Sequence, residues 1–147
     1  MLHSVPLVQV WRGDFLESSH RGHAVVCTLE GEIVDAWGNP GHVILPRSSC
    51  KILQALPLVT SGAADAFGLT SQQLALSCAS HQGAEVHSNL VLNWLQDLAK
   101  TDDDFRCGTQ WPRDIAASNG LVKTDQAACR YHNNCSGKHC GFLTLSK

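Results

Sequence analysis

A chain of 147 residues, 44% hydrophobic and 16% charged, has enough material for one domain with a real core. Its net charge of -2 gives no electrostatic reason to expect nucleic acid or an anionic membrane surface. The four Trp are scattered rather than interleaved with basic residues, and no apolar run approaches the ~20 residues that a membrane-spanning helix needs.

The opening Met1-Leu2-His3-Ser4-Val5-Pro6 lacks the basic and then apolar pattern of a secretion signal, so a cytoplasmic location is expected. Seven cysteines then read as free thiols in a reducing compartment. Cys27, Cys78 and Cys129 follow apolar or small residues and are expected to be buried.

The first forty residues read as β-structure. Val5 to Trp11 is apolar and β-branched, and Ala24–Leu29 and Ile33–Trp37 flank a turn at Glu30-Gly31. A meander of two or three antiparallel strands is expected, broken by Gly38-Asn39-Pro40-Gly41. Helices follow. The first opens at Ser48 or Ser49 and ends near Pro57, and the second is capped by Thr70 or Ser71 and runs from Gln72 to about Ala79. The third spans about Glu85 to Lys100, with Val86, Leu90, Val91, Trp94, Leu95 and Leu98 near helical spacing. Asp102-Asp103-Asp104 is a loop or a helix start, and shorter helices are expected at Asp114–Ala117 and Asp125–Cys129. The last residues, from Ser136 through Leu145, look like the first turns of a core helix that stops at Lys147 without a cap. Strands followed by helices need further strands to close one sheet, so residues 1–147 are expected to be the N-terminal portion of a single longer domain, the alternative being a small complete α+β domain.

Three segments carry candidate chemistry. Ser48-Ser49-Cys50-Lys51 holds Ser-x-x-Lys at an expected helix start, where residues i and i+3 share a face. A Ser hydroxyl is a poor nucleophile until a base takes its proton, and a desolvated Lys can be that base. Backbone N–H groups at the helix start favour the developing oxyanion. Alone the pattern is common, and a capping Ser beside a solvated Lys explains it equally well. In Cys78-Ala79-Ser80-His81, Ser80 offers a second hydroxyl at a helix end, or else a Ser that caps carbonyls, with His81 an ordinary loop residue. In Cys135-Ser136-Gly137-Lys138-His139-Cys140, Cys135, Lys138 and His139 share a face if helical, and thiolate and imidazole are standard zinc ligands. The segment cannot close a four-ligand site alone. A buried structural thiol, a Cys135 nucleophile paired with His132 or His139, and Cys135–Cys140 redox chemistry are the other readings. A phosphate loop is disfavoured because the earlier glycines of that motif are absent.

Taken together, Pro46-Arg47-Ser48-Ser49-Cys50-Lys51, Ala79-Ser80-His81 and Asn133-Asn134-Cys135-Ser136-Gly137-Lys138-His139 resemble the L-asparaginase II family of the rhizobial, thermolabile type, over essentially the whole chain. The resemblance implies an α+β fold like that of serine β-lactamases and penicillin-binding proteins, with antiparallel strands and a helical region. It implies hydrolysis of L-asparagine to L-aspartate and ammonia by a homodimer. Ser48 would be the nucleophile, Lys51 its proton acceptor and Ser80 the second catalytic Ser. Arg47 and His139 would shape the substrate site, and Cys135 and Lys138 would hold Zn2+. Family members run to more than twice this length. The Lys that pairs with the second Ser, a further Cys ligand and an acidic substrate-binding residue lie beyond position 147. A non-catalytic remnant of the family and a hydrolase of β-lactams or other amides are the competing functional readings.

Overall fold

The computed structural model describes residues 3–147 as two compact units, residues up to Leu45 and Pro46–Lys147. It is an α+β chain.

The first unit is two separate antiparallel hairpins. Strand β1 (Val5–Arg12) pairs with β2 (Phe15–Gly22), and β3 (Ala24–Cys27) pairs with β4 (Ile33–Trp37). The β1–β2 turn works because Gly13 takes φ 59°, which folds Phe15 back opposite Arg12. Strand β2 has no counterpart in the sequence reading. Its Glu17-Ser18-Ser19-His20-Arg21 is polar, and pairing with β1 rather than its own propensity makes it a strand. The expected meander is therefore two independent ribbons. Their apolar side chains, including Trp11, Phe15, Ile33 and Val34, stay exposed.

The second unit is helical: α1 (Lys51–Thr60), α2 (Ala63–Ala66), α3 (Ser71–Cys78), α4 (Glu85–Asp97), α5 (Ile115–Lys123) and α6 (Ser136–Leu145). Helix α1 runs through Pro57 instead of ending there. Continuation buries Leu58 at 1% exposure, and the Thr60 and Ser61 hydroxyls donate to the Leu56 and Pro57 carbonyls. That burial, worth about 2 kcal/mol, offsets much of the cost of proline in a helix. Thr70 caps α3 in a capping box: Gln73 N–H donates to Thr70 Oγ1, and Thr70 N–H donates to Gln73 Oε1.

Helix α4 supplies most of the core. Val91, Trp94 and Leu95, with Leu98 just past its end, pack with Leu76, Phe105 and Cys140. Val86, counted on the same stripe in the sequence, is 70% exposed. The helix stops short of Lys100 because Ala99 turns left-handed (φ 52°) and Lys100 N–H closes onto Leu95 O. Helix α5 is longer than expected and is capped by Asp114, which accepts from Ala117 N–H. No helix forms at Asp125–Cys129. Gln126 N–H folds back onto Leu121 O, and a 3₁₀ turn follows at Arg130–His132. The three aspartates form another 3₁₀ turn, Asp102–Asp104. Asp102 accepts from Arg130 and Tyr131 N–H, pinning the two turns together. Cys27 and Cys78 are exposed and Cys129 is half-buried, contrary to expectation; only Cys140 among the described thiols is buried. Short apolar flanks do not make a core when the helix or ribbon presents that side to solvent.

Helix α6 packs on α1, α3 and α4 through small residues. A Cβ on Gly137 would lie 2.6 Å from Leu76 O, and one on Gly141 would lie 2.9 Å from Leu58 Cδ1. Trp94 Nε1–H donates to Thr144 Oγ1, whose own proton goes to Cys140 O. Gly137→Ala is therefore expected to destabilise the protein by about 3 kcal/mol through overpacking. Gly120→Ala, with open space around its position inside α5, is expected to stabilise it by about 1 kcal/mol. Urea unfolding of the two variants checks both signs.

Candidate active site

The chain enters the helical unit at Pro46 and tightens at once into a 3₁₀ turn, Arg47–Cys50. Arg47 has φ 49°, a left-handed conformation that costs a residue with a Cβ about 1 kcal/mol. The turn ties its own side chains back. Ser49 Oγ donates to Pro46 O at 2.5 Å, and Cys50 Sγ donates to Arg47 O at 3.0 Å. Ser48 is exposed, and its carbonyl accepts from Lys51 N–H. Its hydroxyl has no hydrogen-bond partner among the described residues, so of the tandem serines it is the one left free.

Lys51 opens α1 and is 1% exposed. Its Nζ donates to Ala79 O at 2.6 Å and bonds to Ser80 Oγ at 2.7 Å. These acceptors exist because α3 ends at Cys78 and Ala79 swings to extended backbone (φ -89°, ψ 159°), freeing its carbonyl and presenting Ser80. The Lys51 amine is thus bonded to Ser80 rather than to Ser48, whose place three residues earlier suggested the pairing. A helical spacing fixes which residues share a face. It does not say which acceptors a four-carbon side chain reaches across the interior.

His81 is 4% exposed and fully bonded. Gly83 N–H donates to its Nδ1 at 3.1 Å, which places the ring proton on Nε2, 2.8 Å from Ser136 Oγ. Ser136 Oγ then donates to Tyr131 O at 2.9 Å, and His81 N–H donates to Asn134 O. The ring stacks on His87 with centroids 5.2 Å apart. Burial, helped by the charges of His87, Lys51 and His132, lowers its pKa from 6.5 to about 4. Read from sequence as a loop residue, His81 is the most completely bonded side chain near Lys51. Nothing local announces this, because its partner lies 55 positions away.

The third segment forms the head of α6. Cys135 is its N-cap residue, half-buried, with its N–H bonded to Asn133 Oδ1. Lys138 Nζ lies 5.7 Å from the centroid of the Phe142 ring, a cation–π contact. His139 sits edge-on between Phe105 and Phe142. Its pKa is lowered by burial and then by the nearby charges of Lys138 and Lys51, so it is neutral at pH 7. Among the described residues no group of three or more His, Cys, Asp or Glu side chains is arranged to hold a metal. Cys135 and Lys138 alone supply half of a tetrahedral zinc shell at most, and Lys138 faces an aromatic ring. Cys140 is fully buried, with its thiol pKa raised by desolvation, so Cys135–Cys140 redox chemistry has no accessible second thiol. A cleft between α4, α5 and the Arg130–His132 turn is not lined by Lys51.

Lys51, Ser80, His81 and His139 thus gather where α1, the end of α3 and the head of α6 meet. A family model for L-asparaginase II matches residues 8–147. The chain belongs to the L-asparaginase II family. No curated protein matches it. The family match spans the 3₁₀ turn, Ser80 and the head of α6 in one alignment, and it carries a general asparaginase-type, small-molecule amide chemistry. No helix in the described residues is long and apolar enough to cross a membrane.

The neutral His81 gives a pH prediction. Its folded pKa lies below its unfolded one, so the folded state binds fewer protons between about pH 4 and 6.5. The stability it contributes is complete above pH 6.5 and is lost as pH falls toward 4, by roughly 3 kcal/mol. In urea unfolding, the stability advantage of the wild type over His81→Gln is expected to shrink by that amount between pH 7 and pH 4.

Proposed function

We propose that this chain carries a serine-based L-asparaginase site in which Lys51 handles the proton of the attacking hydroxyl. One observation carries the reading beyond family membership: a Lys amine removed from water sits 2.7 Å from a Ser hydroxyl and is oriented by a backbone carbonyl on its other side. Unprotonated, the amine accepts the hydroxyl proton as oxygen attacks the side-chain amide carbon of asparagine. Protonated, it returns the proton to the departing nitrogen, so ammonia leaves and an ester to the serine remains. Water cleaves that ester by the same exchange in reverse, releasing aspartate.

The resemblance assigns attack to Ser48, and the free, exposed hydroxyl of Ser48 supports that assignment. The Lys51–Ser80 bond supports a second reading, in which Ser80 is the hydroxyl that Lys51 deprotonates, either as nucleophile or as relay to Ser48. Arg47, exposed on its left-handed turn, would engage the substrate carboxylate, and His139, its pKa lowered by burial, would help to shape the substrate site. A fold like that of serine β-lactamases belongs to the same proposal, as does a homodimer in a reducing cytoplasm. If zinc is bound, Cys135 and Lys138 are its contributors from these residues, and no step above passes through it.

Ammonia release from L-asparagine tests the reading. Lys51→Met is expected to lower kcat/KM by about 10³-fold. Ser48→Ala and Ser80→Ala separate the two serines: the nucleophile's variant loses the acyl-enzyme mass adduct as well as turnover, whereas a relay variant retains a slow adduct. Wild-type turnover in Lys51→Met would sink the proposal. Absence of turnover in the parent chain would leave family membership without activity in this polypeptide.

A further inference from the structure

We infer that His81 is a positioning residue: it locks the Ser80 segment to the head of α6 and so fixes Ser80 against Lys51. The hydrogen bonds run in one direction only. Gly83 N–H can only donate, so His81 Nδ1 accepts and the neutral ring carries its proton on Nε2. Nε2–H donates to Ser136 Oγ, and Ser136 must then give its proton to Tyr131 O, which can only accept. Ser136 is 0% exposed and His81 4%, so water replaces none of these partners cheaply. The backbone repeats the link: His81 N–H donates to Asn134 O one residue after Ser80 and two before Ser136. Ser80 itself is exposed and lies beyond the end of α3, so its own helix does not hold it. Besides its bond to Lys51, what holds it is the next residue.

The groups facing the ring are His87 from α4, Lys51 from α1, His132 from the Arg130–His132 turn and Ser136 from α6. Three cationic or potentially cationic neighbours, His87, Lys51 and His132, make a charged ring unwelcome. Only the neutral Nε2–H tautomer satisfies both Gly83 and Ser136. None of the hydrogen bonds of His81 goes to Ser80 or Lys51. His81 acts through the backbone on Ser80 and through Ser136 on the segment bearing Cys135, Lys138 and His139.

The test uses the full chain and the variants His81→Phe, His81→Gln and Ser136→Ala. Nitrogen-15 NMR of the wild type is expected to show an unprotonated Nδ1 and a protonated, slowly exchanging Nε2 at pH 7; an Nδ1–H ring overturns the lock. The Lys51 ammonium signal reports the bond to Ser80 without any turnover. It is expected to shift and lose exchange protection in His81→Phe and Ser136→Ala, and to be partly restored in His81→Gln, whose amide can still donate to Ser136. A wild-type Lys51 signal in folded His81→Phe or Ser136→Ala overturns the inference. Where His81→Phe does not fold, Ser136→Ala and His81→Gln decide.

The kinetic arm rests on the asparaginase reading. There kcat is expected to fall between about 10- and 100-fold in His81→Phe, with KM changed less than about twofold and partial recovery in His81→Gln. Equal losses in the Phe and Gln variants, or a change confined to KM, count against positioning. If neither wild type nor variants hydrolyse asparagine, the asparaginase reading fails and the Lys51 signal alone decides the role of His81.

Discussion

A lysine amine at 1% exposure has to find partners for its N–H groups inside the protein, and the helical unit is arranged around that demand. Burying an unpaired cation would cost several kcal/mol. The Ala79 carbonyl and Ser80 hydroxyl answer it, at 2.6 and 2.7 Å. For Ala79 to present a free carbonyl, α3 must stop at Cys78; one more turn would commit that oxygen to the helix ladder. The end of α3 is thus set by the needs of a side chain 28 residues earlier. The same break brings Ser80 within reach of the amine, so the contact that satisfies the buried lysine is also the one the proposed mechanism would use.

The contact in turn depends on how closely α6 approaches. Helix α6 has little apolar bulk on its inner face, where Gly137, Cys140, Gly141 and Thr144 are buried. Small residues let the backbone come within van der Waals contact of Leu76 and Leu58. That approach carries Ser136 to His81, and His81 stands next to Ser80. Leu58 completes the circuit, because it is buried only while α1 continues past Pro57, and α1 is the helix that Lys51 opens. Packing and site geometry share the same residues, so a change in the helix interface is felt at the hydroxyl.

Much of this was legible in the sequence where the signal is local. A cap at Thr70 or Ser71, the apolar stripe of α4 and the Ser-x-x-Lys pattern all lie within one or two helical turns; the cap falls on Thr70, and the stripe is buried, or half-buried at Leu90, except at Val86. Strand β2 was not legible, since its polar residues become a strand only through pairing with β1. Asp125–Cys129 mimicked a helix, but Gln126 N–H capping Leu121 O ends α5 and leaves no room for another before the Arg130–His132 turn. At the site, the residues Lys51 and Ser80 were named but their pairing was not. His81 was named as an ordinary loop residue and as part of the Ala79-Ser80-His81 stretch, with no bonding role. Both failures concern contacts across tens of residues, where spacing carries no information about reach.

The tandem serines show how far local geometry alone can discriminate. Ser48 and Ser49 are chemically identical, and in the sequence only the spacing to Lys51 singles out Ser48. The 3₁₀ turn adds a second distinction. With Arg47 held left-handed at φ 49°, the turn is tight enough for Ser49 Oγ and Cys50 Sγ to reach back to the two preceding carbonyls. Those side chains are spent on closing the turn. Ser48 contributes only its carbonyl, to the Lys51 N–H, which fixes its backbone relative to the buried lysine and leaves its hydroxyl unengaged. In the proposed mechanism, a strained residue and a self-bonded turn would help to preorganise that free hydroxyl. The strain at Arg47 then has a function in the turn itself: relaxing it would loosen Ser49 and Cys50, and with them the one hydroxyl that the turn keeps free.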